Sequence, residues 1–238
     1  MIDRSIIPSL FTVGTLVCGF VALSFVAEGR YVPAAWLILL AAALDNMDGR
    51  LARLIGSDSQ FGIEFDSLAD VCTFGVVPAF MLYHSLLHSP WGAVASSLFL
   101  LAGASRLARF NVTSHNDGGK GAFFVGVPIP AAAIVLTQYI VYTERTWDTA
   151  HAAQFGIALM VLLSFLMISR IDYDAVPNFR SSALRDRLKV AYFLVSVGLI
   201  LHPATSREIF FPLTILYIAS GLYRRLWGMF SNEVTQHA

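Results

Sequence analysis

Charge is scarce in this 238-residue chain: Asp, Glu, Lys and Arg make up 13% of it, against 56% hydrophobic residues. Mean hydropathy is +0.66. That excludes an ordinary soluble domain, in which about a quarter of the residues are charged. Cysteine is nearly absent. Cys18 and Cys72 both stand in apolar runs without a partner at metal-ligand spacing, so they read as small packing residues and imply neither a disulfide nor a redox centre. Excess charge of either sign is missing, with 16 basic and 16 acidic residues, and nothing points to a nucleic acid partner. Missing too are an internal repeat, a low-complexity tract and a linker rich in Pro, Gly or Ser, which leaves residues 1–238 as one domain. The glycine-rich stretch Asn116 to Gly121 lacks the spacing of a phosphate loop and reads as a cytoplasmic connection. His84, His88, His115, His151, His202 and His237 show no pairing at ligand spacing and read as lone interfacial side chains.

What the chain has instead is long apolar runs. A bilayer core takes about 20 mostly apolar residues per helix, and eight runs qualify, at roughly 8–27, 32–54, 61–87, 90–111, 127–143, 152–169, 187–202 and 208–226. The fold class is therefore all-α, a polytopic transmembrane helix bundle of about eight spans. The first run is longer than the apolar core of a cleaved leader and lacks a clear cleavage site, so it reads as a retained span. With the N-terminus in the cytoplasm, thirteen Lys and Arg residues fall on that side and only Arg30, Arg145 and Arg207 on the other. Cytoplasmic loops carry this bias. The expected location is the cytoplasmic (inner) membrane, if the source is bacterial.

Against that apolar background, Asp45, Asp48, Asp66 and Asp70 stand out. Positions 45, 48, 49 and 52 share one helical face, and 62, 66 and 70 form a second stripe at i+4 spacing. Two helices can thus aim two carboxylates each at one point, at the cytoplasmic end of their spans. Such a cluster needs neutralising, because an uncompensated charge in a weakly hydrated site is very costly. Oxygen ligands without Cys or His suit hard ions such as Mg2+, Mn2+ or Ca2+. Four acids are enough for two ions, the pairing that clamps attacking and leaving oxygens in phosphoryl displacement. Gly49, Ala52 and Gly62 on the same faces allow close approach of a ligand or a helix, and Arg53 adds a fork suited to phosphate. A solvated helix end paired with Arg50 and Arg53 is the plainer explanation.

The complete pattern, D-x2-D-G-x2-A-R-x8-G-x3-D-x3-D, specifies eight positions over 26 residues, and here the chain resembles the CDP-alcohol phosphotransferase family. Flanking stretches are similar to the phosphatidylserine synthase branch: Asp66 to Ala79, Ser105 to Asn111, Gly126 to Ala133, and Ile7 to Leu16. Asparagine is usual in that branch where this chain has Ser9 and Thr15. The resemblance covers roughly the first 180 residues, with a catalytic core at about 6–170 and further spans at about 187–226. It implies transfer of a phosphatidyl group from CDP-diacylglycerol to the hydroxyl of L-serine, with release of CMP, in a homodimer embedded in membrane lipid. On that resemblance Asp45, Asp48, Asp66 and Asp70 hold two Mg2+ or Mn2+ ions, and Asp70 also accepts the alcohol proton. Thr12, Gly49, Ala52, Arg53 and Gly62 border the CDP moiety.

Other polar residues stay open between two roles. Arg106 and Arg109, at i, i+3, are either anchors reaching lipid headgroups or ligands of an acidic acceptor or a phosphate, in company with Asn111. Arg170, Arg180, Arg185, Arg187 and Lys189 form a juxtamembrane basic cluster that attracts anionic lipid or, through residues such as Arg180, receives a diphosphate headgroup. Asp172 and Asp174 read as solvated loop acids. The same core could serve glycerol 3-phosphate, inositol or an archaeal ether-lipid donor. A transporter would spread its acids through the bilayer depth over several spans. These four sit at one end of two neighbouring runs.

Overall fold

The computed structural model describes residues 6–55, 60–117, 123–146, 149–174, 211–216 and 219. They belong to two compact units, Met1–Gly119 with Pro128–Ile168, and Lys120–Val127 with Ser169–Ala238.

All regular structure described in the first unit is helical. Its elements are α1 (Ile6–Ala27), α2 (Tyr31–Ile55), α3 (Gln60–Asp70), a π-helical turn at Val71–Val76, α4 (Val77–Leu86), α5 (Pro90–Asp117), α6 (Ile129–Thr146) and α7 (Thr149–Ile168). Gly29, at φ +72°, reverses the chain between α1 and α2 in a left-handed conformation that a side chain would strain. Arg30 N–H closes that turn on Phe25 O at 2.8 Å, and α1 then packs along α2. Ser89 accepts from Gly92 N–H at 3.1 Å with Pro90 in the first turn, the usual chemistry of a helix start.

Small side chains are prominent inside the bundle, and many bulky apolar ones lie outside. Ala22, Ala34, Ala35, Ala41, Ala102, Ala132 and Ala133 are buried, whereas Leu10, Phe20, Trp91, Leu101, Phe155 and Phe165 are exposed. Lipid tails are as apolar as Leu, so helices in a bilayer associate by close packing of small residues and leave bulky ones outside. Larger side chains fill the gaps, among them Phe74, Phe99, Met160 and Tyr139, whose hydroxyl donates to Ala152 O at 2.6 Å.

Four helical stretches among the described residues are long and apolar enough to cross a membrane: Leu10–Ala27, Gln60–Leu86, Pro90–Val112 and His151–Ile168. A shorter apolar helix covers Ile129–Thr143. The run expected at 61–87 is helical from end to end but not uniformly α. Pro78 has no N–H to give the carbonyl four residues back, and its ring crowds that carbonyl. The turn preceding it is wound as a π segment, an adjustment that satisfies backbone groups freed by proline within membranes.

The second unit supplies the one departure from all-α among the described residues. Strands β1 (Phe123–Val125) and β2 (Asp172–Asp174) pair antiparallel, with Phe124 opposite Tyr173. Gly126 N–H extends the ribbon to Ile171 O at 2.8 Å. Phe124 and Val125 thus precede α6 as a strand, and Asp172 and Asp174 stand on a strand instead of a loop. The runs expected at 187–202 and 208–226 lie outside the described residues, except for a helical piece at 211–216.

Candidate metal and nucleotide site

The last turns of α2 and the body of α3 carry the four acids. One carboxylate oxygen each from Asp45, Asp66 and Asp70 lies within 4.8 Å of the other two, a group that could hold a metal ion. Asp45 and Asp66 are half-buried and Asp70 is 7% exposed. Asp70 Oδ1 is buried without a hydrogen-bond partner among the described residues. Asp48 is buried as well, and its Oδ2 accepts the hydroxyl of Thr12 from α1. It remains within electrostatic reach of Asp66 and Asp70.

Two ionised carboxylates at this separation repel by roughly 3 kcal/mol even at an effective dielectric constant of 20. The buried positive group acting on Asp70 is Arg106 of α5, itself 6% exposed. Four ionised carboxylates against that one guanidinium would leave the described cluster three charges negative. An orphaned carboxylate oxygen and donors of oxygen alone fit a hard divalent cation, and two such ions would reverse the imbalance.

The remaining expected residues separate by element. Gly49 is exposed at the end of α2 and Gly62 half-buried near the start of α3. Ala52 and Arg53 continue α2, but their side chains lie outside the described residues, as does Arg180 entirely. On α5, buried Arg106 acts electrostatically on Asp70, whereas Arg109 gives Nη1 to Ile168 O at 2.8 Å and Nη2 to Met167 O at 3.4 Å. A guanidinium so placed satisfies carbonyls at the C-terminus of α7 and opposes the negative end of that helix dipole. Asn111 Nδ2 donates to Ser67 Oγ at 2.9 Å, tying α5 to α3.

Two further threonines belong here, Thr15, which the sequence marks only as a departure from the usual asparagine, and Thr73, which it does not mark. Thr15 Oγ1 donates to Phe11 O at 3.2 Å and to Ala41 O of α2 at 3.4 Å. Thr73, fully buried in the π turn, donates to Thr15 O at 3.2 Å. The available signal was a hydroxyl at i+3 from Thr12 and another at i+3 from Asp70, each inside an apolar run. His84 and His88 are not isolated: their ring centroids are 5.4 Å apart, and His84 Nδ1 lies 3.1 Å from Tyr31 Oη. A spacing of four residues suffices for such contact.

A sequence model of the CDP-alcohol phosphatidyltransferase family matches residues 5–168, which include every helix of the first unit and all four acids. The chain belongs to the CDP-alcohol phosphatidyltransferase family. This phosphatidyltransferase is 33% identical over 225 residues to the CDP-diacylglycerol--serine O-phosphatidyltransferase of Helicobacter pylori, covering 93% of this chain and 92% of that one. It is 34% identical over 179 residues to the archaetidylserine synthase of Methanothermobacter thermautotrophicus, covering 74% and 72%. A solved structure of Mycobacterium tuberculosis phosphatidylinositol phosphate synthase, in complex with manganese and citrate, is 19% identical with a TM-score of 0.49, covering 79% of this phosphatidyltransferase and 92% of that chain.

Proposed function

We propose that this protein is a CDP-diacylglycerol–serine O-phosphatidyltransferase. It joins the phosphatidyl group of CDP-diacylglycerol to the hydroxyl of L-serine and releases CMP. The observation that carries the reading is the meeting of Asp45, Asp66 and Asp70 from two helices within a family of CDP-alcohol phosphatidyltransferases. Both relatives above are named for a serine-linked product, although their lipids differ. The acceptor is therefore the better supported half of the assignment. An ether-lipid donor is the second reading, favoured by the archaeal relative.

On this reading Asp45, Asp48, Asp66 and Asp70 bind two Mg2+ or Mn2+ ions. Held there, such ions would supply charge stabilisation on the phosphoryl oxygens and at the departing CMP. Gly49 and Gly62 lack the side chains that would keep the nucleotide diphosphate away, with Thr12, Ala52 and Arg53 along the same border. Arg106 pairs with the carboxylate of serine, which would otherwise be repelled by the acids. The serine oxygen forms a bond to the phosphatidyl phosphorus as the bond to the CMP oxygen breaks. Asp70 accepts the hydroxyl proton, assistance that a weak nucleophile needs at neutral pH.

The chain is a single catalytic domain of about eight spans, its core at about 6–170, acting as a homodimer in membrane lipid. Its cavity opens at the cytoplasmic end, which the thirteen-to-three distribution of Lys and Arg supports. Purified protein incubated with CDP-diacylglycerol, labelled serine and Mn2+ tests the activity. Labelled phosphatidylserine with equal release of CMP is expected. Product only with glycerol 3-phosphate or inositol, or only from an ether-linked CDP-lipid, would contradict the assignment.

A further inference from the structure

We propose that Thr73 is a positioning residue that holds Asp70 at the metal cluster, acting through the π-helical turn between them. The inference rests on the reading of Asp45, Asp66 and Asp70 as metal ligands. The π turn begins at Val71, immediately after Asp70, so the winding of that turn fixes where the carboxylate points around the helix axis. A π turn inside an α-helix has several ways to relax, and this one is pinned at its third residue. Thr73 is 0% exposed and its Oγ1 donates to Thr15 O of α1. Thr15 is bonded in turn to Ala41 O of α2, the helix that carries Asp45. One chain of hydrogen bonds thus runs from the turn that aims Asp70 to the helix bearing the opposing ligand.

Steric fit points the same way. A Cβ on Gly19 would stand 2.5 Å from Thr73 Oγ1, so α1 is bare where the threonine seats. Asp70 itself has an oxygen that no hydrogen bond orients among the described residues. Its direction depends on the backbone that carries it. Groups that orient metal ligands without touching the metal typically contribute about 10–100-fold in affinity.

The test is Mn2+ affinity of the purified full-length protein, followed by the electron paramagnetic resonance signal of free Mn2+, together with the thermal midpoint. Thr73→Val keeps the shape and removes the donor, and Thr73→Ser restores the donor. Affinity about tenfold weaker in Thr73→Val, with Thr73→Ser within about twofold of wild type, is the expected result. Wild-type affinity in Thr73→Val, or a Thr73→Ser as weak as Thr73→Val, would overturn the proposal. Should Thr73→Val fail to fold, Gly19→Ala displaces Thr73 while leaving its hydroxyl, and unchanged Mn2+ affinity there overturns it equally. Asp70→Asn is the control: wild-type affinity in that variant overturns the metal reading itself, whereas weakened binding there with wild-type affinity in Thr73→Val removes only the role of Thr73.

Discussion

Asp48 and Arg109 show how neighbours of one type come to differ. Asp48 sits three residues from Asp45, yet its carboxylate accepts the Thr12 hydroxyl, whereas Asp45 meets Asp66 and Asp70. Thr12→Val is therefore expected to weaken Mn2+ activation by about tenfold, and a titration of CMP release against Mn2+ measures it. Arg106 and Arg109, one helical turn apart, divide between the acids and the end of α7. Arg106→Ala is expected to raise the KM for serine about tenfold or more, because loss of a charge-assisted pair in a poorly hydrated site costs at least about 1.5 kcal/mol. Arg109→Ala is expected to leave that KM unchanged and to lower the thermal midpoint by about 2–4 °C through the lost helix tie. Steady-state kinetics beside a thermal scan separates the two. The acids were legible in the sequence because their spacing is fixed and their surroundings are apolar. The split between the two arginines was not, since i, i+3 spacing places both on one face and leaves the partner helix undetermined.

Helices supply the next level, and the third span is the informative one. Apolar length alone reads residues 61–87 as a single uniform helix. The π turn at Val71–Val76 arises from the conflict between Pro78 and the carbonyl four residues before it, a local effect that hydropathy does not register. Pro78→Ala restores the missing donor and removes that conflict. Its expected result is an unchanged or raised thermal midpoint together with CMP release lowered by about tenfold or more, as Asp70 rotates with its turn. Activity at the wild-type level would show that the π turn does not aim the carboxylate. The strand before Gly126 escaped notice for a related reason. Three residues pairing with a segment 49 positions away, Phe123 with Asp174 being one end of the register at 51, leave no periodic trace of their own.

At the scale of the whole molecule, buried alanines and exposed aromatics are what a lipid environment selects, and the apolar runs carry that information openly. The expected number of crossings rests on the length of the apolar runs, and their direction on the Lys and Arg distribution. With Cys18 and Cys72 replaced by Ala, a single cysteine introduced as Lys120→Cys is expected to resist a membrane-impermeant maleimide in intact cells. Arg145→Cys is expected to react. The opposite labelling pattern would invert the topology and place the acids on the far side. On the proposed mechanism, Asp70→Asn is expected to reduce phosphatidyl transfer by at least about a hundredfold, since one substitution would remove both a metal ligand and the proton acceptor.

The most direct measurement is an anomalous difference map from crystals of the full chain grown with Mn2+. Bound manganese should give a peak within bonding distance of Asp45, Asp66 and Asp70, lost in crystals of Asp70→Asn. Density for manganese elsewhere in the molecule, with those three carboxylates empty, would contradict the assignment of this cluster as the metal centre.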